Sequence, residues 1–108
     1  MARYLVQVGY APEAMAGMVK NPHDRTPDVR AMIESLGGKL ECLYMAFGEY
    51  DGVGIAEIPD NVSAVALAMA ITATGRYRSY RTTPLLTMQE AVEAMRVAGK
   101  VSVRPAGG

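Results

Sequence analysis

Hydrophobic positions along the chain follow two periods, and their order predicts four strands and four helices. Residues 3–10 alternate and are rich in Tyr, Leu and Val, which predicts a first strand. Lys39 to Phe47 and Val53 to Ile58 predict two more strands, joined by the short polar turn Gly48-Glu49-Tyr50-Asp51-Gly52. Tyr77 to Leu86 again alternates and predicts a fourth strand.

The first two helices are separated by prolines. Pro12 permits a helix start, and the apolar pattern that follows stops at the segment 21–27, which holds two prolines and several polar residues. In the second helix Thr26 is predicted to cap the N-terminus and Pro27 to take the first position. Its apolar positions, at helical spacing, are Val29, Met32, Ile33 and Leu36. Gly37-Gly38 supplies the C-terminal stop.

Two further helices follow later in the chain. Pro59-Asp60-Asn61 ends the third strand and offers N-cap oxygens for a helix over about 62–74. Its inward residues are predicted to be Val65, Met69 and Thr72. Thr87 and Glu90 have the spacing of a capping box and predict a last helix. The inward residues of this last helix are predicted to be Met88, Val92 and Met95.

The element order β-α-β-β-α-β is that of a ferredoxin-like α+β fold, here with an extra C-terminal helix. In this fold the helices cover one face of a four-stranded antiparallel sheet. Strict alternation in the second strand gives two apolar faces, one with Leu40, Cys42, Tyr44 and Ala46 and the other with Leu43, Met45 and Phe47. A large uncovered apolar face is uncommon in monomers, so we expect a homodimer that pairs through its sheet faces.

Composition excludes several function classes. The chain has 108 residues, which fits one domain, and 11 basic against 11 acidic residues, so neither nucleic acid nor a membrane is an expected partner. Cys42 is the single cysteine, which excludes an intrachain disulfide. No charged-then-apolar leader opens the sequence, and the apolar stretch 62–73 is too short to span a bilayer. We therefore expect a cytoplasmic protein.

Several segments resemble one known family. Gly48-Glu49-Tyr50-Asp51 after an apolar strand resembles the signature of the GYD-domain family, a branch of the dimeric α+β barrel superfamily. Segments 21–25, 36–40, 59–63 and 82–87 also resemble family segments in the same order. The resemblance spans residues 3–98 and implies a single domain over 1–98, a C-terminal extension over 99–108, and sheet-to-sheet pairing into a barrel. The wider superfamily holds many chemistries, so the resemblance names no reaction.

Three residues are candidates for catalysis. Tyr50 is a candidate phenolic donor, with Asp51 orienting it or acting as a base. Asp51 has the alternative of bonding local amides in the turn, and Tyr50 of packing over the hairpin. His23 is the only histidine and lies beside Asp24 in the proline-bounded loop, where it is either a general base or a solvated loop residue.

Five polar residues are candidates for ligand binding. Arg25 either binds a carboxylate or ties its loop to a neighbour. The others lie on predicted strands, where they either orient a small molecule or form hydrogen bonds between subunits: Gln7, Tyr44, Glu57 and Arg81. One His and one Cys cannot form an ordinary intrachain zinc site, so we expect no metal and no cofactor.

The sequence does not determine the function. One hypothesis is an enzyme acting on a small organic molecule in a pocket between sheet and helices. The alternative is a non-catalytic homodimer that binds a metabolite or is accessory to another protein. The two are separated by whether the polar side chains converge on a cavity of ligand size.

Overall fold

A computed structural model describes residues 1–107, and this part of the chain contains four strands and four helices. The strands are β1 (Ala2–Tyr10), β2 (Lys39–Met45), β3 (Gly52–Ile58) and β4 (Tyr77–Leu85), and the helices are α1 (Pro12–Lys20), α2 (Thr26–Ser35), α3 (Asn61–Thr72) and α4 (Met88–Ala98). The sheet order is β2-β3-β1-β4 with every pair antiparallel. This is the predicted ferredoxin-like arrangement, in which β1 and β3 occupy the centre of the sheet.

The register of the central strands divides the sheet into two faces. Tyr4 pairs with Ala56 on β3 and with Pro84 on β4, and because directly opposed residues share a face, this set lies on one side. Tyr4 is only 2% exposed, since α2 and α3 pack over it. We call this side the helix-covered face. Leu5 pairs with Ile55 and Thr83 on the other side, which we call the open face.

The core lies between the helix-covered face and two of the helices. Its buried members are Tyr4, Ile33, Leu40, Ala56, Ile58, Ala64 and Leu67. The hydroxyl of Tyr4 donates to Asn61 Oδ1 at 2.6 Å, which satisfies its one buried polar atom and anchors the start of α3. The prediction of Val65 and Met69 as inward residues of α3 is wrong, because these two side chains are exposed. Its buried residues are Ala64 and Leu67.

A bulge in β2 changes the faces that alternation predicts for this strand. Leu40 pairs with Ala56, but Cys42 pairs with Ile55, so Glu41 is an extra residue in the ladder. Leu43 therefore returns to the helix-covered face with Leu40. The predicted grouping of Leu40 with Cys42 and Tyr44, and of Leu43 with the opposite face, is wrong for this reason. The strand also ends at Met45, two residues before the predicted end.

A local hydrogen bond marks the start of α2, and a glycine marks its end. Asp24 Oδ1 accepts a hydrogen bond from the Thr26 backbone N–H at 2.9 Å, so Thr26 is the first helical residue and Arg25 takes the cap position. The predicted cap at Thr26 is off by one residue. Gly37 ends the helix with φ at +81°, a conformation that favours glycine. At Gly38 a Cβ would collide with the backbone oxygen of Glu57.

Helix α4 extends away from the rest of the protomer. The capping box is confirmed, since Thr87 Oγ1 accepts from the Glu90 N–H and Glu90 Oε1 accepts from the Thr87 N–H, both at 3.0 Å. No α4 residue is buried, and the protomer measures 57 Å along its longest axis. Met88, Val92 and Met95 are 77%, 41% and 65% exposed. Their predicted inward position is therefore wrong for the isolated protomer.

Candidate functional site

A cavity of about 260 Å³ lies between the helix-covered face and the helices. Most of its wall is aliphatic, including Val6, Val8, Val29, Met32, Leu43 and Ile71. Gly54 lies opposite Val6, and Gly52 lies opposite Val8, so β3 places no side chain there. A Cβ at Gly52 would come within 2.9 Å of Val8 Cγ2. The two glycines therefore leave open the space that the aliphatic side chains surround. The cavity volume is slightly below the roughly 300–1,000 Å³ typical of ligand sites.

Three tyrosines line one side of this cavity. The rings of Tyr10 and Tyr77 lie with centroids 5.4 Å apart and planes tilted by 40°, which is a favourable aromatic geometry. Burial raises the pKa of Tyr80 to about 12, with a further contribution from Tyr77 and an opposing one from its hydrogen bond with Thr82. Burial also raises the pKa of Tyr10. The phenols of Tyr10 and Tyr80 therefore remain protonated at neutral pH and can donate hydrogen bonds into an otherwise apolar space.

The loop before α2 forms the polar part of the cavity wall. His23 is 57% exposed in its side chain, with Nδ1 3.0 Å from Asn21 O and Nε2 3.9 Å from Asp28 Oδ2. Hydrogen bonding to the Thr26 side chain, and then to its backbone N–H, holds the pKa of Asp24 below its usual range. Arg25 is half-buried, and within residues 1–107 no carboxylate oxygen lies within 4.0 Å of its guanidinium.

The family follows from the extent of the sequence match. Residues 4–95 match the model of the GYD domain, which is most of the chain. The chain belongs to the GYD-domain family. This confirms the resemblance identified from Gly48-Glu49-Tyr50-Asp51. A comparison with curated protein sequences gave no match. Among solved structures, the chain is similar to the crystal structure of FFRP-DM1, with 12% identity, a TM-score of 0.46, and coverage of 80% of this chain and 100% of that one.

In this GYD domain the three candidate catalytic residues do not converge. His23 lines the cavity, whereas Tyr50 and Asp51 do not. Asp51 Oδ2 instead accepts hydrogen bonds from the Tyr10 backbone N–H at 2.9 Å and from Arg78 Nη2 at 3.3 Å. These contacts tie the hairpin to β1 and β4, a structural role, but the partners are distant in sequence and are not the local turn amides that were the predicted alternative.

The five candidate ligand-binding residues divide between the two faces. Arg25 and Tyr44 border the cavity, but Tyr44 pairs with Val53, so its side chain lies on the open face. Gln7 pairs with Arg81 across β1 and β4 on the open face, away from the cavity. Glu57 is also on the open face, where its carboxylate lies 3.4 Å from Arg3.

Sequence reasoning missed Tyr10 and Tyr77 as wall residues of the cavity. Their approach depends on the pairing of β1 with β4, in which the register shifts between Gly9 and Tyr10. No short-range pattern reports such a shift, because it is set by contacts between distant strands.

Neither a metal centre nor a membrane-spanning helix is found in the described part of the chain. Over residues 1–107 no three His, Cys, Asp or Glu side chains come together in a group that could hold a metal ion. No helix in the same range has the length and apolar character needed to cross a membrane.

Proposed function

We propose that this GYD domain acts in the cytoplasm as a homodimer that binds a small, largely apolar organic molecule in the cavity between its sheet and helices. The observation that carries the proposal is the cavity itself, about 260 Å³ in volume, with an aliphatic wall and a few polar groups. Small-molecule sites typically combine an apolar wall with a few polar groups that fix the orientation of the ligand. The hydroxyl of Tyr80 and the loop residues His23 and Arg25 are such groups.

Binding without chemistry is favoured over catalysis. Acid–base catalysis needs a side chain within hydrogen-bond reach of the proton that it transfers, and activation of a nucleophile needs an adjacent base. Of the candidate catalytic residues only His23 lines the cavity, and its Nδ1 contacts a backbone carbonyl. Asp51 is engaged with Tyr10 and Arg78. An enzyme that acts on the same molecule remains the second candidate, with the protonated Tyr80 as its donor.

Dimerisation through the open face is supported by the chemistry of that face. Leu5, Val53 and Ile55 lie near its centre, and no helix of the described protomer packs over them. Arg3 pairs with Glu41 and Glu57 at one end, at 2.8 and 3.4 Å. An apolar centre with a charged rim is typical of protein interfaces.

One further observation supports a reducing compartment, and another supports the dimer. Cys42 is a free, partly buried thiol on the open face, as expected where thiols stay reduced. Hydrogen bonding to Thr87 lowers the pKa of Glu90, and Arg3 adds a smaller effect in the same direction. Arg3 belongs to the open face, so we infer that α4 begins on that side, where a second subunit would cover its apolar residues.

Calorimetric titration with 1-octanol, a neutral apolar probe, tests the binding proposal. We expect the wild-type protein to bind octanol and Val6→Phe to bind it at least about tenfold more weakly. Val6 lines the cavity and its neighbour on β3 is Gly54, which has no side chain, so the larger ring has space to enter the cavity. Val62→Phe is the matched control, because Val62 is 80% exposed on α3.

Native mass spectrometry of the purified protein accompanies the titration. A mass of two chains with a reproducible small adduct is the expected result. A protein that carries no adduct and does not bind octanol would contradict the binding proposal. A clean single-chain mass would contradict the dimer.

A further inference from the structure

Arg25 differs in its surroundings from the arginines of the chain that form ion pairs. Arg3, Arg78 and Arg96 each have a carboxylate within 4.0 Å. Arg25 is half-buried in the wall of an apolar cavity, and no carboxylate of residues 1–107 lies within that distance. A cation that is removed from water costs free energy unless an anion or hydrogen-bond acceptors compensate it.

The nearby carboxylates are committed to other partners. Asp24 Oδ1 accepts from the Thr26 N–H at 2.9 Å. Asp28 lies 3.9 Å from His23 and is 64% exposed in its side chain. Asp51 accepts from the Tyr10 N–H and from Arg78. Among residues 1–107 no carboxylate therefore forms an ion pair with the Arg25 guanidinium.

The influence of Arg25 extends to the tyrosine side of the cavity. Burial and Tyr77 raise the pKa of Tyr10, whereas Arg25 acts in the opposite direction. Arg25 and Tyr10 line the same cavity, and the positive charge of the guanidinium favours negative charge there. An acidic group bound there would have a cation on one side and a phenolic donor on the other.

We propose that the molecule bound in this cavity is an amphipathic carboxylate, with its acidic group on Arg25 and its apolar body against the aliphatic wall. This inference rests on the proposed binding function and names the class of ligand. Arginine suits a carboxylate because its planar fork forms two parallel hydrogen bonds with the two oxygens. The wall residues Val6, Val29 and Met32 would contact the apolar body.

Comparison of octanoate with 1-octanol by calorimetry at neutral pH tests this inference, since the two probes differ in the head group alone. We expect the wild-type protein to bind octanoate at least about tenfold more tightly than octanol. Arg25→Gln should remove this preference by weakening octanoate binding at least about tenfold more than octanol binding. Arg30→Gln, an exposed arginine on α2, is the matched control and should change neither affinity.

Two more measurements test the inference even if Arg25→Gln folds poorly. Arg25→Lys keeps the charge but loses the planar fork, so an intermediate preference for octanoate is expected. In the wild-type protein, raising NaCl from about 0.05 M to about 0.5 M should weaken octanoate binding and leave octanol binding unchanged.

The outcomes distinguish a failure of the carboxylate inference from a failure of the proposed binding function. If the wild-type protein binds neither probe, the proposed function itself fails. If it binds both equally, or if Arg25→Gln weakens both to the same degree, the cavity binds apolar molecules and the carboxylate inference is overturned.

Discussion

Asp51 Oδ2 accepts a hydrogen bond from the backbone N–H of Tyr10 at 2.9 Å, so the β2–β3 hairpin is tied to the end of β1. The backbone N–H of Asp51 also donates to Val8 O at 2.8 Å. Tyr10 is the point at which β1 shifts its register against β4, and its ring is part of the cavity wall. The Asp of the family signature therefore positions one wall of the candidate site from outside it.

Replacement of Asp51 should affect stability more than binding. Asp51→Ala leaves the Tyr10 N–H without its acceptor and removes the ion pair with Arg78, so we expect a loss of about 1–3 kcal/mol in the free energy of unfolding. Urea denaturation followed by circular dichroism measures it. Tyr50→Phe is the control, and its melting temperature should equal that of the wild-type protein. An Asp51→Ala variant of unchanged stability that no longer binds the ligand would assign the carboxylate to the site instead.

The alkaline titration of the tyrosines should contain one late component. Burial raises the pKa of Tyr80 to about 12 from its ordinary value of 10.0. In the unfolded chain Tyr80 loses its proton at a lower pH than in the folded protein. Deprotonation therefore stabilises the unfolded state first, and the free energy of unfolding falls as pH rises from 10 towards 12. Tyrosinate absorbance measures the titration, and Tyr80→Phe should remove the component near pH 12. A late component that persists in this variant would belong to another tyrosine.

Local signals in the sequence predicted most of the elements correctly. The capping box at Thr87, the Asp60 cap of α3 and the glycine stop at Gly37 are each confirmed by hydrogen bonds or dihedral angles. These signals act over three or four residues and depend little on tertiary contacts. This local character is why the order of strands and helices, and with it the fold, could be predicted.

The errors in predicting strand faces and buried residues arise where contacts between distant parts of the chain determine the structure. The bulge at Glu41 is set by pairing with β3, and it moves Leu43 to the helix-covered face. Helix α3 is apolar on all sides, so its sequence pattern cannot choose between Val65 and Leu67 as the buried residue. In α4 the amphipathic pattern is real, but none of its residues is buried in the described protomer.

The candidate site was predicted in part. The proline-bounded loop drew attention to His23 and Arg25, and both line the cavity. Gln7, Glu57 and Arg81 were chosen as polar residues on strands, but a strand places successive side chains on opposite faces and these three lie on the open face. The face of a strand residue depends on its register, which composition does not reveal.

Tyr44→Glu tests the proposed pairing of sheets. Tyr44 is paired with Val53 on β3 and is 69% exposed, so a charge there should leave the protomer folded and repel a second sheet. We expect dissociation to monomers in sedimentation velocity. Val62→Glu, on the exposed side of α3, is the control and should remain dimeric.

Leu43→Glu has a different expected result, because Leu43 packs against the core. A buried unpaired carboxylate should destabilise the fold itself, by several kcal/mol. A Tyr44→Glu protein that sediments as the wild-type does would contradict pairing through the open face.

Two valines on helix α4 provide a matched pair of variants, which test whether a second subunit covers the apolar residues of this helix. Val92 lies on the stripe with Met88 and Met95, and Val97 is turned about 140° away from Val92 at the usual 100° per residue. Both valines are exposed in the protomer, at 41% and 53%, so neither Val92→Glu nor Val97→Glu should change the stability of an isolated subunit. If the partner covers the stripe, Val92→Glu should raise the dimer dissociation constant by about tenfold or more, and Val97→Glu should leave it within about twofold. Sedimentation at serial dilutions measures both constants. Equal constants for the two variants would show that the stripe of α4 contacts no second subunit.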